Sequence, residues 1–257
     1  MREIREDGIG VVVPYDFALD RELWRWCPAG ATLHLTRTPH LPLPVSLAQA
    51  RAVRAPGAVG QATHDLSTVL PGVVAYACTS GSFVAGVEGE RALRQAVVEA
   101  GAPAAVTTSG AAVSALRALG VGRVCVVTPY DEAVTDRLGA FLTEAGVRVV
   151  SAGHLGLTGQ IWTVPEEVTA DLVRGTLTGD AEAVFVSCTN LRTYDLLAEL
   201  ESELGIPVLS ANQVTLWLAL AVLGRAAVGP GQSLVDRHPD LGDESTVSTT
   251  STLQGAP

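Results

Sequence analysis

The sequence predicts an α/β protein built from two pseudo-equivalent halves, each with parallel strands covered by helices. Two observations carry that expectation. Short Val-rich apolar runs alternate with longer helix-compatible segments, the pattern of a parallel sheet flanked by helices. Motifs also recur between the first and second sets of runs. VVVPYD at 11–16 returns as VVTPYD at 126–131, an offset of 115, and AYACTS at 75–80 returns as FVSCTN at 185–190, an offset of 110. More weakly, PAAVTTSG at 103–110 resembles PVLSANQV at 207–214. Three matches in one order at similar offsets point to an internal repeat.

In chain order, the apolar runs place strands near Ile9–Val13, Thr32–Thr36, Val73–Ala77 and Ala104–Thr107. A second set follows near Arg123–Thr128, Val147–Ser151, Ala183–Ser187 and Pro207–Ser210. Between them, helical spacing predicts Ser82–Ala100, Ala111–Leu119, Glu132–Ala145, Glu166–Thr176, Leu191–Leu204 and Gln213–Leu223. The first lobe is assigned to residues 1–108, completed by a C-terminal helix at 211–228, and the second to 109–210. After about Gly229 the apolar periodicity stops and Ser, Thr, Asp and Gly dominate, so 229–257 is expected to be a disordered tail.

Composition removes several function classes. The formal net charge is −10, which argues against a nucleic-acid partner. Every basic residue other than histidine is Arg; the chain contains no Lys. That excludes a pyridoxal Schiff base, a lysine nucleophile and a Walker-type phosphate loop. Cys27, Cys78, Cys125 and Cys188 form no C-x-x-C pair, and the five histidines form no H-E-x-x-H pattern. Neither a metal site nor a disulfide framework is expected. No apolar run reaches the roughly 18–20 residues of a membrane span, and the start lacks a signal-peptide segment. A soluble, cytoplasmic protein with no membrane partner is expected.

Ligands of parallel α/β sheets bind outside the carboxyl ends of the strands. The repeated motifs fall there: Pro-Tyr-Asp after the first strand of each half, Cys-Thr after the third. Two facing halves would bring Cys78 and Cys188 to opposite walls of one cleft, with Tyr15, Asp16, Tyr130 and Asp131 at its mouth. Thr79, Ser80 and Ser82, and likewise Thr189 and Asn190, suit helix N-caps. Their N–H groups and the helix dipole are expected to lower a thiol pKa and to cradle a carboxylate.

Competing structural roles are assigned alongside. Cys125, between valines, and Cys27, after two tryptophans, fit inert packing. Asp131 fits an N-cap, Asp16 fits either role, and Tyr130 fits a carboxylate-binding hydroxyl. Arg192 fits a solvated helix position, and His40 and His154 fit loop or surface positions.

The paired CTSGS and SCTNL segments, with TPYDE between them, resemble the aspartate/glutamate racemase superfamily over roughly residues 8–225. The branch they are most similar to contains the maleate cis-trans isomerases and arylmalonate decarboxylases, including racemase-like proteins of ectoine-utilisation clusters. The resemblance implies two pseudo-symmetric lobes, each with a four-stranded parallel sheet, an active site between them, and no cofactor or metal. It implies that Cys78 adds to a double bond or serves as one base, and that Cys188 handles the proton on the opposite side. It matches Thr79, Ser80, Tyr130 and Thr189 to carboxylate-binding groups, with Asn190 adding a backbone N–H. Maleate isomerases carry Asn after the first strand, where this chain has Tyr15 and Asp16. Decarboxylase members keep only the cysteine matching Cys188.

The expected activity is therefore a cofactor-independent isomerase, cis-trans isomerase or racemase, acting on a small carboxylic acid. The alternatives are a decarboxylase with Cys188 as proton donor and a small-acid binding protein without turnover. Dimers are common in the superfamily, which implies a homo-oligomer.

Overall fold

The Val-rich runs pair as two sheets in the computed structural model of the protein, which describes residues 7–242 and 247–250. The first sheet contains β1 (Asp7–Val13), β2 (Ala31–Arg37), β3 (Val73–Tyr76) and β4 (Ala104–Thr107) in the parallel order β2-β1-β3-β4. The second contains β5 (Arg123–Thr128), β6 (Arg148–His154), β7 (Ala183–Val186) and β8 (Val208–Ser210) in the parallel order β6-β5-β7-β8. The two orders are identical under the sequence repeat. Central strands such as β3 and β7 are buried along their whole length, whereas the edge strand β6 is largely open to solvent. This is why their sequences are continuous apolar runs rather than alternating ones.

Ten helices of the described residues join these strands: α1 (Asp20–Leu23), α2 (Leu47–Val53), α3 (Pro56–Leu66), α4 (Thr79–Phe83), α5 (Gly86–Glu99), α6 (Thr108–Ala118), α7 (Glu132–Glu144), α8 (Glu166–Thr176), α9 (Tyr194–Leu204) and α10 (Ala211–Val222). Their starts follow local chemistry. Asp131 caps α7 by accepting from Val134 N at 2.9 Å, and Thr107 caps α6 through Gly110 N. Ser210 and Gln213 form a reciprocal capping box on α10. Helix α10 crosses back onto β3 and β4 and packs along α6, where Thr108 and Thr215 hydroxyls meet at 2.8 Å. Among the described residues no helix is long and apolar enough to cross a membrane.

Three expectations are corrected. The single helix placed at 82–100 is two, because the chain turns at Gly86 with φ +77°. A Cβ there would sit 2.6 Å from Glu144 Oε2, so glycine is required for conformation and for space. The first sheet carries a fifth strand beyond the four expected: β9 (Ser248–Thr249) pairs antiparallel with β4. Finally, residues 229–242 of the supposed tail are ordered against the body. Gln232 is buried and accepts hydrogen bonds from Trp26 Nε1 at 2.8 Å and Gln213 Nε2 at 2.9 Å, and Leu234 is buried beside them. Sparse anchors, two or three residues in a polar stretch, leave no periodicity to detect. Residues 243–246 and 251–257 of that stretch lie outside the described residues.

The outer face of the first sheet holds a buried ion pair. Arg94 Nε donates to Glu90 Oε1 at 2.8 Å, Thr107 Oγ1 donates to the same carboxylate oxygen at 2.6 Å, and Arg94 also reaches Ser248 of β9. Removing the carboxylate takes away the buried acceptor that both Arg94 Nε and Thr107 Oγ1 use. Glu90→Ala is expected to destabilise the fold by about 3–5 kcal/mol, read from urea unfolding.

Candidate active site

In each sheet the first strand is flanked by the second and third, so the chain leaves β1 and β3, and β5 and β7, in opposite directions. That reversal opens a crevice at the strand ends. Pro14-Tyr15-Asp16 and Cys78 stand at the crevice of one sheet; Pro129-Tyr130-Asp131 and Cys188 stand at the other. One cavity of about 330 Å³, counting its open mouth, joins them. Cys78, Thr79, Ser80, Asp16, Tyr130, Cys188, Thr189 and Asn190 all line it. Two predicted residues do not. Asp131 is spent on its helix cap, and the Tyr15 hydroxyl donates to Leu43 O at 3.1 Å beside the His40 ring.

The carbonyl after each cysteine is fixed in the same way. Thr79 O accepts from Ser82 Oγ at 2.8 Å and Ser109 Oγ at 3.2 Å, while Thr189 O accepts from Asn212 Nδ2 at 3.0 Å. Ser109 and Asn212 are each the second residue of the helix after the neighbouring strand, α6 and α10. Both follow a hydroxyl N-cap at the strand end, Thr107 and Ser210, one residue out of step with the weak PAAVTTSG and PVLSANQV match.

The cysteines themselves differ. Cys78 is extended, with φ −139°, and is the N-cap of α4. A Cβ on Gly81 would run into the Tyr76 hydroxyl and lie 3.2 Å from Cys78 Sγ, so the CTSG glycine lets the helix start close against the thiol. Cys188 has φ +103°, in the left-handed region that a side chain rarely adopts. No helix begins at Thr189 or Asn190, contrary to expectation; α9 starts at Tyr194 with Thr193 as N-cap. Asn190 is instead committed to the opposite lobe. Its Oδ1 accepts from Ala18 N at 3.0 Å and its Nδ2 donates to Asp16 O at 3.1 Å, while its backbone N–H points to Cys188 Sγ at 3.4 Å.

What remains free for a ligand is specific. Thr79 Oγ1 is fully buried, lies at the cavity and has no partner among the described residues. Tyr130, also buried, directs its hydroxyl to the Cys188 thiol. Thr79 Oγ1 is thus the donor free to meet a polar ligand group beside the two sulfurs. No group of three His, Cys, Asp or Glu side chains among the described residues is placed to hold a metal ion.

The arylmalonate decarboxylase family model matches residues 55–235. The chain belongs to that family. It is 36% identical over 160 residues to the arylmalonate decarboxylase of Bordetella bronchiseptica, covering 60% of this chain and 66% of that protein. It is 29% identical over 237 residues to the maleate isomerase of Nocardia farcinica, covering 87% of this chain and 92% of that protein. A structure of unliganded arylmalonate decarboxylase superposes with TM-score 0.76 at 30% identity, covering 89% of this chain and 98% of that one. A cysteine-to-serine mutant of the Nocardia farcinica maleate cis-trans isomerase, with a covalently bound succinylcysteine intermediate, superposes with TM-score 0.80 at 26% identity, covering 89% and 97%. An enzymatic function of the isomerase or lyase type goes with membership of this arylmalonate decarboxylase and maleate isomerase branch.

Electrostatics correct one further expectation for this family member. The thiols are not lowered. Burial pushes Cys78 up to about 11; the Gly81 N–H pulls it down and the Asp16 carboxylate pushes it up again. Burial likewise pushes Cys188 up to about 12, against the pull of the Tyr130 hydroxyl and the Asn190 N–H. Asp16 is itself raised by burial. One turn of N–H groups cannot offset the loss of water around a fully enclosed sulfur.

Three lining residues lie outside the repeated motifs: Val45, Gln49 and Ile161. Val45 N donates to Thr158 O at 2.8 Å, tying the wall that carries Val45 to the loop that carries Ile161. The S-x-x-Q spacing of Ser46 and Gln49, whose N–H Ser46 Oγ accepts at 3.2 Å, marks the start of α2 but says nothing of a cavity.

These thiols should label slowly and in proportion to hydroxide. With Cys78 titrating at about 11, its alkylation rate should rise about tenfold per pH unit from 7 to 9 without a plateau. Iodoacetamide labelling followed by peptide mass spectrometry reads this, with half-buried Cys27 reacting first. A plateau below pH 9 would contradict the buried-thiol electrostatics.

Proposed function

We propose that the protein is a cofactor-independent isomerase, a cis-trans isomerase or racemase, that acts on a small carboxylic acid through Cys78 and Cys188. The observation that carries this is the pair of thiols presented from equivalent strand ends into one cavity, beside a buried, unpartnered Thr79 hydroxyl.

The two chemistries share an ene-diolate. In cis-trans isomerisation, the Cys78 thiolate forms a C–S bond to one alkene carbon and the π electrons move onto the carboxylate. Cys188 S–H protonates the other carbon, the new single bond rotates, Cys188 takes a proton back, and the C–S bond breaks. The succinylcysteine of the Nocardia farcinica enzyme is an adduct of this kind. In racemisation, one thiolate removes the α-proton and the opposite thiol delivers its own to the other face. Either way the negative charge grows on the carboxylate oxygens, where Thr79, Ser80 and Thr189 supply donors.

The raised pKa values fit this division. A thiol titrating at about 12 is protonated at neutral pH and is ready as the acid at Cys188. A thiolate formed at Cys78, with a conjugate acid near 11, is rare but correspondingly basic and nucleophilic. Asp16, a half-buried acid in the same cavity, sets the charge a substrate meets.

A second reading has support of its own: the family model and the 36% identity to an arylmalonate decarboxylase. There the enolate would arise by loss of CO₂ and Cys188 would protonate it, leaving Cys78 idle.

Incubation in D₂O with amino acids, hydroxy acids, malonates and maleate tests these readings. Isomerisation predicts α-deuterium or cis-to-trans conversion, lost by about 10²–10⁴-fold in both Cys78→Ser and Cys188→Ser. Decarboxylation predicts CO₂ release that survives Cys78→Ser and fails in Cys188→Ser. Ligand binding with no deuterium, isomer or CO₂ in any variant would leave only a binding protein.

A further inference from the structure

The loop that carries Cys188 runs from the end of β7 to Thr193, the N-cap of α9, and contains a residue in the left-handed region at Cys188 itself. Such a backbone persists only where the surroundings over-determine it. Its carboxyl-terminal end is held by a side chain from the other lobe. Glu22 of α1 is buried, and its Oε1 accepts from Thr193 N at 3.0 Å and from Thr193 Oγ1 at 2.8 Å. Thr193 makes no side-chain cap to its own helix; its hydroxyl is turned instead to Glu22, 171 residues away.

The same carboxyl group lies against the Asn212 amide, and Asn212 donates to Thr189 O at 3.0 Å. Glu22 therefore reaches the loop at both ends, directly at residue 193 and through Asn212 at residue 189. It does not touch the thiol cavity. It faces a separate, solvent-open hollow with Arg192 and Tyr194 on the wall.

We propose that Glu22 is a positioning residue for Cys188: it fixes the loop from the opposite lobe so that the thiol keeps its strained, enclosed position facing Cys78. Cys78 sits on a short helix start with no bond to Glu22, so the two cysteines should respond differently when the tether is cut. Gln keeps an accepting oxygen at the same reach and is therefore the replacement that preserves both bonds to Thr193.

The test is iodoacetamide labelling at pH 8, without substrate, read for each cysteine by peptide mass spectrometry. It rests on Cys188 being a working residue only for its meaning, not for its readout, so it fails separately from the isomerase reading. Glu22→Ala should raise Cys188 labelling about tenfold while Cys78 stays within about twofold. Glu22→Gln should return Cys188 to near the native rate. Thr193→Val, which keeps the N–H and loses the hydroxyl donor, should give a smaller rise. Unchanged Cys188 labelling in Glu22→Ala overturns the proposal, as does an equal rise at Cys78 or a Gln variant as fast as Ala. Should the Ala variant not fold, the Thr193→Val comparison decides alone, and native labelling at Cys188 in it overturns the proposal.

Discussion

The Asn190 side chain joins the lobes where their strand ends meet, and the rest of the site depends on that bridge. Two sulfurs on different sheets can serve one small molecule only if the sheets keep a fixed separation. Asn190 gives a donor to Asp16 O and an acceptor to Ala18 N, both in the loop after β1. Both bonds are made in a part-buried position, where a missing partner costs more than a formed bond gains. Val45 N to Thr158 O closes the opposite side of the same cavity. Both bridges end on backbone atoms, Asp16 O and Ala18 N for one and Thr158 O for the other.

Enclosure then decides the chemistry. A more open crevice would let the α4 start lower the Cys78 thiol, as helix N-termini do elsewhere. Here burial is the largest influence on both sulfurs and holds them as thiols. That disfavours oxidation and casual alkylation, which follow thiolate character and exposure. It suits a reaction in which one sulfur must donate a proton and the other must act as a strong base. Low dielectric also strengthens the polar interactions of whatever lines the cavity.

Much of this was legible because a repeat is visible when residues are tied to backbone position. The two PYD turns and the two Cys-Thr steps recur because each occupies the switch point of a sheet with the same strand order. Asp131 as a helix cap and Cys125 as strand packing follow from immediate neighbours. What escaped was set by distant contacts. Nothing local to Leu191-Arg192-Thr193 says that Asn190 is drawn to the Asp16 loop and that the helix must wait for Tyr194. Nothing local to Val45 or Ile161 says that two loops meet over the cavity. The break at Gly86 depends on Glu144, fifty-eight residues on, which helical spacing cannot register.

The repeat is also where the symmetry fails, and the failure is informative. Equivalent strands deliver Cys78 and Cys188, and equivalent helices, through Ser109 and Asn212, hold the carbonyls that follow them. Yet Cys78 is relaxed on a helix start, while Cys188 is strained in a loop clamped by Asn190 and Glu22. A relaxed, helix-started sulfur needs only local contacts to be placed, which suits a group that forms and breaks a bond to carbon. A proton donor must meet one face of a planar intermediate at one angle, and that demands an orientation fixed from several sides. The clamps on one copy turn a matched pair of thiols into an unequal pair.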